Sequence, residues 1–144
     1  MKAKQIKKGE HKMGWTTKVK PENLLGKTLT EVRKYQEEDE EVGILFVEEG
    51  GTRYAMYHEK DCCEVVYIED ICGDLSDLVG NPILRAKGEF NHTEPDDDDS
   101  QTWSFYEFAT IKGTVTIRWY GSSNGYYGET ADIYEIPNDM EWDI

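Results

Sequence analysis

The residues richest in chemistry lie in YHEKDCCEVVYIEDICGDL, residues 57–75. This stretch holds all three cysteines (Cys62, Cys63 and Cys72), His58 and six acidic side chains. Thiolate and imidazole are good zinc ligands, so His58, Cys62 and Cys63 form the candidate metal set. The paired C-x2-C knuckle of structural zinc sites is absent. Adjacent residues of a strand also point to opposite faces, which sets Cys62 and Cys63 apart. The competing reading makes the cysteines small, buried, reduced thiols of a core. A Cys62–Cys63 redox pair ranks below both, because adjacent cysteines strain a disulfide and no C-x-x-C occurs.

Other motifs fall short of a site. LGKT at 25–28 resembles the end of a phosphate-binding loop, but Pro21 stands where that pattern needs its first glycine. The run Glu94–Asp99 lacks the alternating ligands and turn glycine of a calcium loop and reads as solvated charge. His11 falls in the N-terminal arm and His92 in the acidic loop. That leaves His58 as the histidine expected in ordered structure, with Asp61, Glu64, Glu69 and Asp70 nearby in sequence. No nucleophile, base and orienting group assemble around it, so binding is expected ahead of catalysis. The aromatic C-terminal third supplies the candidate surface: Arg118, Trp119, Tyr126 and Tyr127. These residue types are enriched at binding hot spots. The alternative is that both faces of those strands are covered by other elements.

The surrounding pattern is rich in strands. Thr28, Thr30 and Val32 favour an opening strand. VGILFV (42–47) and RYAMYH (53–58) form a hairpin across the glycine turn 48–52. On the second of these, Tyr54, Met56 and His58 share one face and Arg53, Ala55 and Tyr57 the other. VVYI (65–68) reads as a strand, although Asp61 followed by Glu64 also matches a helix capping box. GDLSDLVG (73–80) predicts a short helix begun by Asp74 and ended by Gly80. Strands follow at 83–90, 102–111, 114–121 and 130–136, with 91–100 as an exposed acidic loop. The expected fold class is α+β, a mainly antiparallel sheet with one or two short helices.

The chain's 144 residues suit one domain. The expected organisation is a flexible basic arm over 1–22, a single domain over 23–136 and an acidic tail over 137–144. Residues 1–20 carry seven Lys and one Glu, whereas the whole chain is at −14, so the body is strongly acidic. Such a body repels nucleic acid and membranes and suits a basic protein partner. No apolar run reaches the ~18 residues of a membrane helix, and no apolar stretch follows the N-terminal lysines, so a cytoplasmic setting is expected.

The segments YHEKDCCEVVYIEDICGDLSDLVGNPI and TWSFYEFATIKGTVTIRWYGSSNGYYGE carry a resemblance. Their specific parts are Tyr57-His58-Glu59, Asp61-Cys62-Cys63-Glu64 and Ile117-Arg118-Trp119-Tyr120-Gly121. Over roughly Leu24 to Tyr134 the chain resembles a family of small uncharacterised bacteriophage and bacterial proteins, a domain of unknown function. The resemblance implies a phage or mobile-element origin and a cytoplasmic setting, and brings no catalytic roles. The leading expectation is an acidic accessory protein that binds a host protein and needs no cofactor. The alternatives are a zinc-binding protein or zinc enzyme centred on His58, Cys62 and Cys63, and a small-ligand binder using the C-terminal aromatics.

Overall fold

A computed structural model of the chain describes residues 16–94 and 99–138. Most of the lysine arm, Pro95 to Asp98 of the acidic loop, and the chain from Asp139 onward lie outside the described residues. Among the described residues nine strands follow in order: β1 Thr17–Val19, β2 Leu29–Glu37, β3 Glu40–Glu48, β4 Arg53–Tyr57, β5 Val65–Cys72, β6 Arg85–Thr93, β7 Ser100–Thr110, β8 Gly113–Ser123 and β9 Asp132–Ile136. They form one sheet in the order β1-β9-β4-β3-β5-β8-β7-β6, with β2 alongside β3. Every pairing of named strands is antiparallel, and the sheet curls into a half-barrel.

The expected α+β class is therefore corrected to nearly all-antiparallel β. Among the described residues, helical structure is limited to two single 3-10 turns, Pro21–Leu24 and Leu75–Leu78. At the second, Asp74 does act as the cap, its carboxylate accepting from Ser76 N at 2.9 Å. Gly80, at φ 90°, and Pro82 then stop the turn before it can grow. At Asp61, the Glu64 carboxylate reaches back to the backbone N–H as a capping box would. The β-branched Val65 and Val66 that follow commit the chain to β5 instead. Two further differences concern length. β6 continues through Asn91, His92 and Thr93, which the sequence reading gave to the acidic loop. Thr17–Val19, inside the lysine arm, pairs with β9 as β1.

The β7–β8 hairpin shows how one strand face changes character. In β7 the even-numbered residues from Ser100 to Thr110 point inward and are buried, and the odd-numbered ones face outward. At one end the inner face is apolar: Tyr106, Phe108, Val115, Ile117 and Trp119 pack with Phe46 and Met56 of β3 and β4. At the other end the same face carries Ser100, Thr102, Ser104 and Ser123, all buried. Burying hydroxyls requires hydrogen-bond partners. Three of the four obtain them from one carboxylate, described below.

Ser104 is the exception, a buried hydroxyl without a hydrogen-bond partner among the described residues. Removing an unsatisfied polar group is nearly neutral or stabilising. Ser104→Ala is therefore expected to hold stability or raise it by up to about 1 kcal/mol, read as the urea midpoint. A loss larger than that would mean the hydroxyl has a partner.

Candidate functional site

Two polar clusters sit where the segment 129–131 crosses the half-barrel ahead of β9. Each of these three residues is tied to a different part of the sheet. The Glu129 carboxylate receives the hydroxyls of β7 and β8. The Thr130 carbonyl accepts from His58 Nδ1 at 2.8 Å. The Ala131 carbonyl accepts from the Tyr106 hydroxyl at 2.5 Å.

In the first cluster Glu129 is only 6% exposed. Ser100 and Ser123 donate to its Oε2, and Thr102 donates to Oε1 at 2.8 Å. Because the Thr102 hydrogen goes to Glu129, its oxygen must accept from His92 Nδ1, 2.7 Å away. His92 Nε2 then lies 3.5 Å from Glu94. Burial pushes the Glu129 carboxyl up, but the hydroxyls of Ser100, Ser123 and Thr102, with the nearby His92, outweigh it and hold it below its ordinary range. Such a carboxylate stays charged and is a weak base, so its chemistry is charge recognition rather than proton abstraction. Glu129, Ser100, Thr102, His92 and Glu94 line a cavity of about 250 Å³ together with Gly125 and Tyr127. Gly121 makes the arrangement fit: a Cβ there would lie 2.0 Å from the Glu129 carbonyl oxygen.

In the second cluster Glu64, 1% exposed, accepts from Asp61 N at 2.7 Å, Cys62 N at 2.9 Å and His58 Nε2 at 2.7 Å. Burial raises the Glu64 carboxyl, but the Asp61 and Cys62 N–H groups and then His58 bring it down to about 2. Both His58 nitrogens face oxygens that only accept, the Thr130 carbonyl and the Glu64 carboxylate. The His58 ring is thereby held between the two oxygens, one on each side. This cluster locks the 58–64 turn to the 129–131 segment.

A family model for a domain of unknown function, DUF7448, matches residues 22–133. The chain belongs to that family. The matched span contains both clusters. No curated protein and no solved structure gives a significant match.

Within this family member, the residues singled out by sequence separate. His58 is occupied by Glu64 and Thr130. Cys62 and Cys63 are exposed and joined to each other as a disulfide, and Cys72 is free and exposed. The expectation of buried thiols is thus corrected for all three cysteines, and that of reduced thiols for Cys62 and Cys63. In the disulfide neither Cys62 nor Cys63 is a thiolate. Among the described residues no group of three or more His, Cys, Asp or Glu side chains gathers to hold a metal.

Of the four surface candidates, Trp119 is fully buried, its Nε1 directed at Met56 Sδ 3.1 Å away. It is a core residue, because in β8 the odd positions face inward. Arg118 faces outward and pairs with Glu69 at 2.8 Å, close enough for an ion pair but not aligned as a hydrogen bond. Tyr126 is 81% exposed and meets Tyr127 edge-on at 5.0 Å. Tyr127 alone of the four lines the cavity.

Sequence reading missed Glu129, Glu64's role as an anchor, and His92 as a strand residue. One signal was present. Ser100, Thr102 and Ser104 alternate along a strand whose face continues as Tyr106 and Phe108. A row of hydroxyls on a core-facing register asks for a buried polar partner.

Proposed function

We propose that this protein is a small cytoplasmic accessory protein of bacteriophage or mobile-element origin that acts by binding a basic host protein. The observation that carries the reading is the outer face of β5, β8 and β7. There Tyr120 is in ring contact with Tyr67 at 5.7 Å and with Trp103 at 5.3 Å. All three are half-buried. Gln101 Nε2 donates to the Tyr120 hydroxyl at 2.8 Å and fixes its ring. Pre-ordered aromatic side chains lose little entropy on binding, which favours such a patch as an anchor. Acidic residues border it: Glu40 and Glu69 lie close enough to Tyr67 that, after burial, their charges raise its phenol further. Exposed Asp70 stands across from Arg118. With the chain at −14, this rim supports a partner of opposite charge.

The test is affinity capture from host extract with the wild-type chain, Trp103→Ala and Tyr120→Ala in parallel. The expected result is a basic protein retained by the wild type. Its affinity should fall about 30-fold in either variant, the size of a hot-spot loss, and should weaken with salt. Equal retention by all three chains, or retention indifferent to salt, would overturn the reading.

A further inference from the structure

We propose that the Glu129 cavity is a binding site for an alkylammonium group. A carboxylate offers about four lone-pair positions. Ser100 and Ser123 use two on Oε2, and Thr102 uses one on Oε1. One position on Oε1 remains, with His92 Nδ1 at 3.7 Å and already committed to Thr102. Glu94 adds a second, exposed carboxylate beside His92. No Lys or Arg is among the residues that line the cavity. Among the described residues that line the cavity, the buried negative charge of Glu129 therefore has hydroxyl donors and the His92 ring beside it, but no lysine or arginine.

An ammonium head donates three hydrogens from a single charge. Such a head matches the remaining Oε1 position and the Glu94 oxygens. The Tyr127 ring at the wall suits the alkyl stem or the charge itself. A bare divalent ion fits less well. It would have to compete with hydroxyl hydrogens already seated on Glu129, and a cavity of about 250 Å³ is larger than one ion requires. The ammonium could belong to a free polyamine or to a lysine side chain of another protein, and the two sources share this chemistry.

The experiment is titration calorimetry of the full chain at low ionic strength with two probes, spermidine and N-acetyl-lysine methylamide. Three variants accompany the wild type: Glu129→Gln, Glu94→Gln and Glu89→Gln. Glu89 is exposed on β6 and outside the cavity lining, and its variant removes the same charge elsewhere. The expected result is saturable 1:1 binding of at least one probe. Glu129→Gln should weaken it tenfold or more and Glu94→Gln several-fold, with Glu89→Gln unchanged. Binding of spermidine alone assigns the site to free polyamines, and binding of the lysine probe extends it to protein side chains. If Glu129→Gln fails to fold, the exposed Glu94→Gln carries the comparison. The proposal is overturned if neither probe saturates, if Glu89→Gln weakens binding as much as Glu94→Gln, or if calcium or manganese binds while both probes do not.

Discussion

Replacing Glu64 by Ala is expected to cost about 3–5 kcal/mol of folding stability, because it leaves several buried polar groups without their shared acceptor. The carboxylate is the shared acceptor of Asp61 N, Cys62 N and His58 Nε2. Its loss strands two N–H groups and the His58 ring together. The same group makes stability depend on pH. The Glu64 carboxyl lies at about 2 in the folded chain against 4.5 when free. Its folded value is depressed, so its contribution is complete above about 4.5 and disappears as pH falls through about 2. That difference corresponds to about 3 kcal/mol, in line with the mutational figure. Urea midpoints measured from pH 6 down to pH 2 should therefore fall more steeply for the wild type than for Glu64→Ala. Parallel profiles would show that Glu64 is not the acid-sensitive anchor.

Gly121→Ala is expected to be the second severe change, although it adds one methyl group. The new Cβ would lie 2.0 Å from the Glu129 carbonyl oxygen and 2.8 Å from its carbonyl carbon. Both are backbone atoms, so no rotamer change relieves the clash. The 129–131 segment must lift from β8 or the strand must bend. Overpacking of this kind costs ~1–3 kcal/mol, and withdrawing Glu129 from Ser100, Thr102 and Ser123 adds the cost of buried hydroxyls left without an acceptor. A total of about 3 kcal/mol or more is expected in the urea midpoint. Hydrogen exchange should show faster amide exchange at 129–131 than in the wild type. A variant with wild-type stability and unchanged exchange would mean that the close approach of Glu129 to β8 is not required.

Both predictions converge on residues 129–131, which no sequence pattern marked. The sequence read these residues only as the end of a glycine turn and the start of the last strand. Their partners are far along the chain: Ser100 is 29 residues from Glu129, and His58 is 72 from Thr130. Local spacing carries no information about such pairs, because they depend on strand order and on how tightly the sheet curls. His92 shows the same limit. Its neighbours are acidic and polar, so it reads as a loop. Pairing with Thr102 across β6 and β7 makes it a strand residue and turns it towards Glu129.

What the sequence by itself determined was the local backbone and the two-sidedness of its strands. Alternation in RYAMYH correctly separated Tyr54 and Met56, which join the main core, from Ala55 and Tyr57, which join the smaller cluster. The hairpin turn at 48–52 was equally legible, since glycine and charged residues leave few other conformations, whereas the turn expected at 112–113 falls one residue earlier, between Thr110 and Gly113. Only the tertiary structure decided which face of each strand is covered. Period-two patterning names two faces without saying which one meets another layer. For that reason Trp119 belongs to the core, while Tyr120, its neighbour, stands on the outer aromatic face. The short helix expected at 73–80 is present only as the 3-10 turn Leu75–Leu78. Asp74 supplies a correct cap, but a single turn gains too few hydrogen bonds to hold without an amphipathic face to pack. Its neighbours bury Leu78 as part of a 3-10 turn instead.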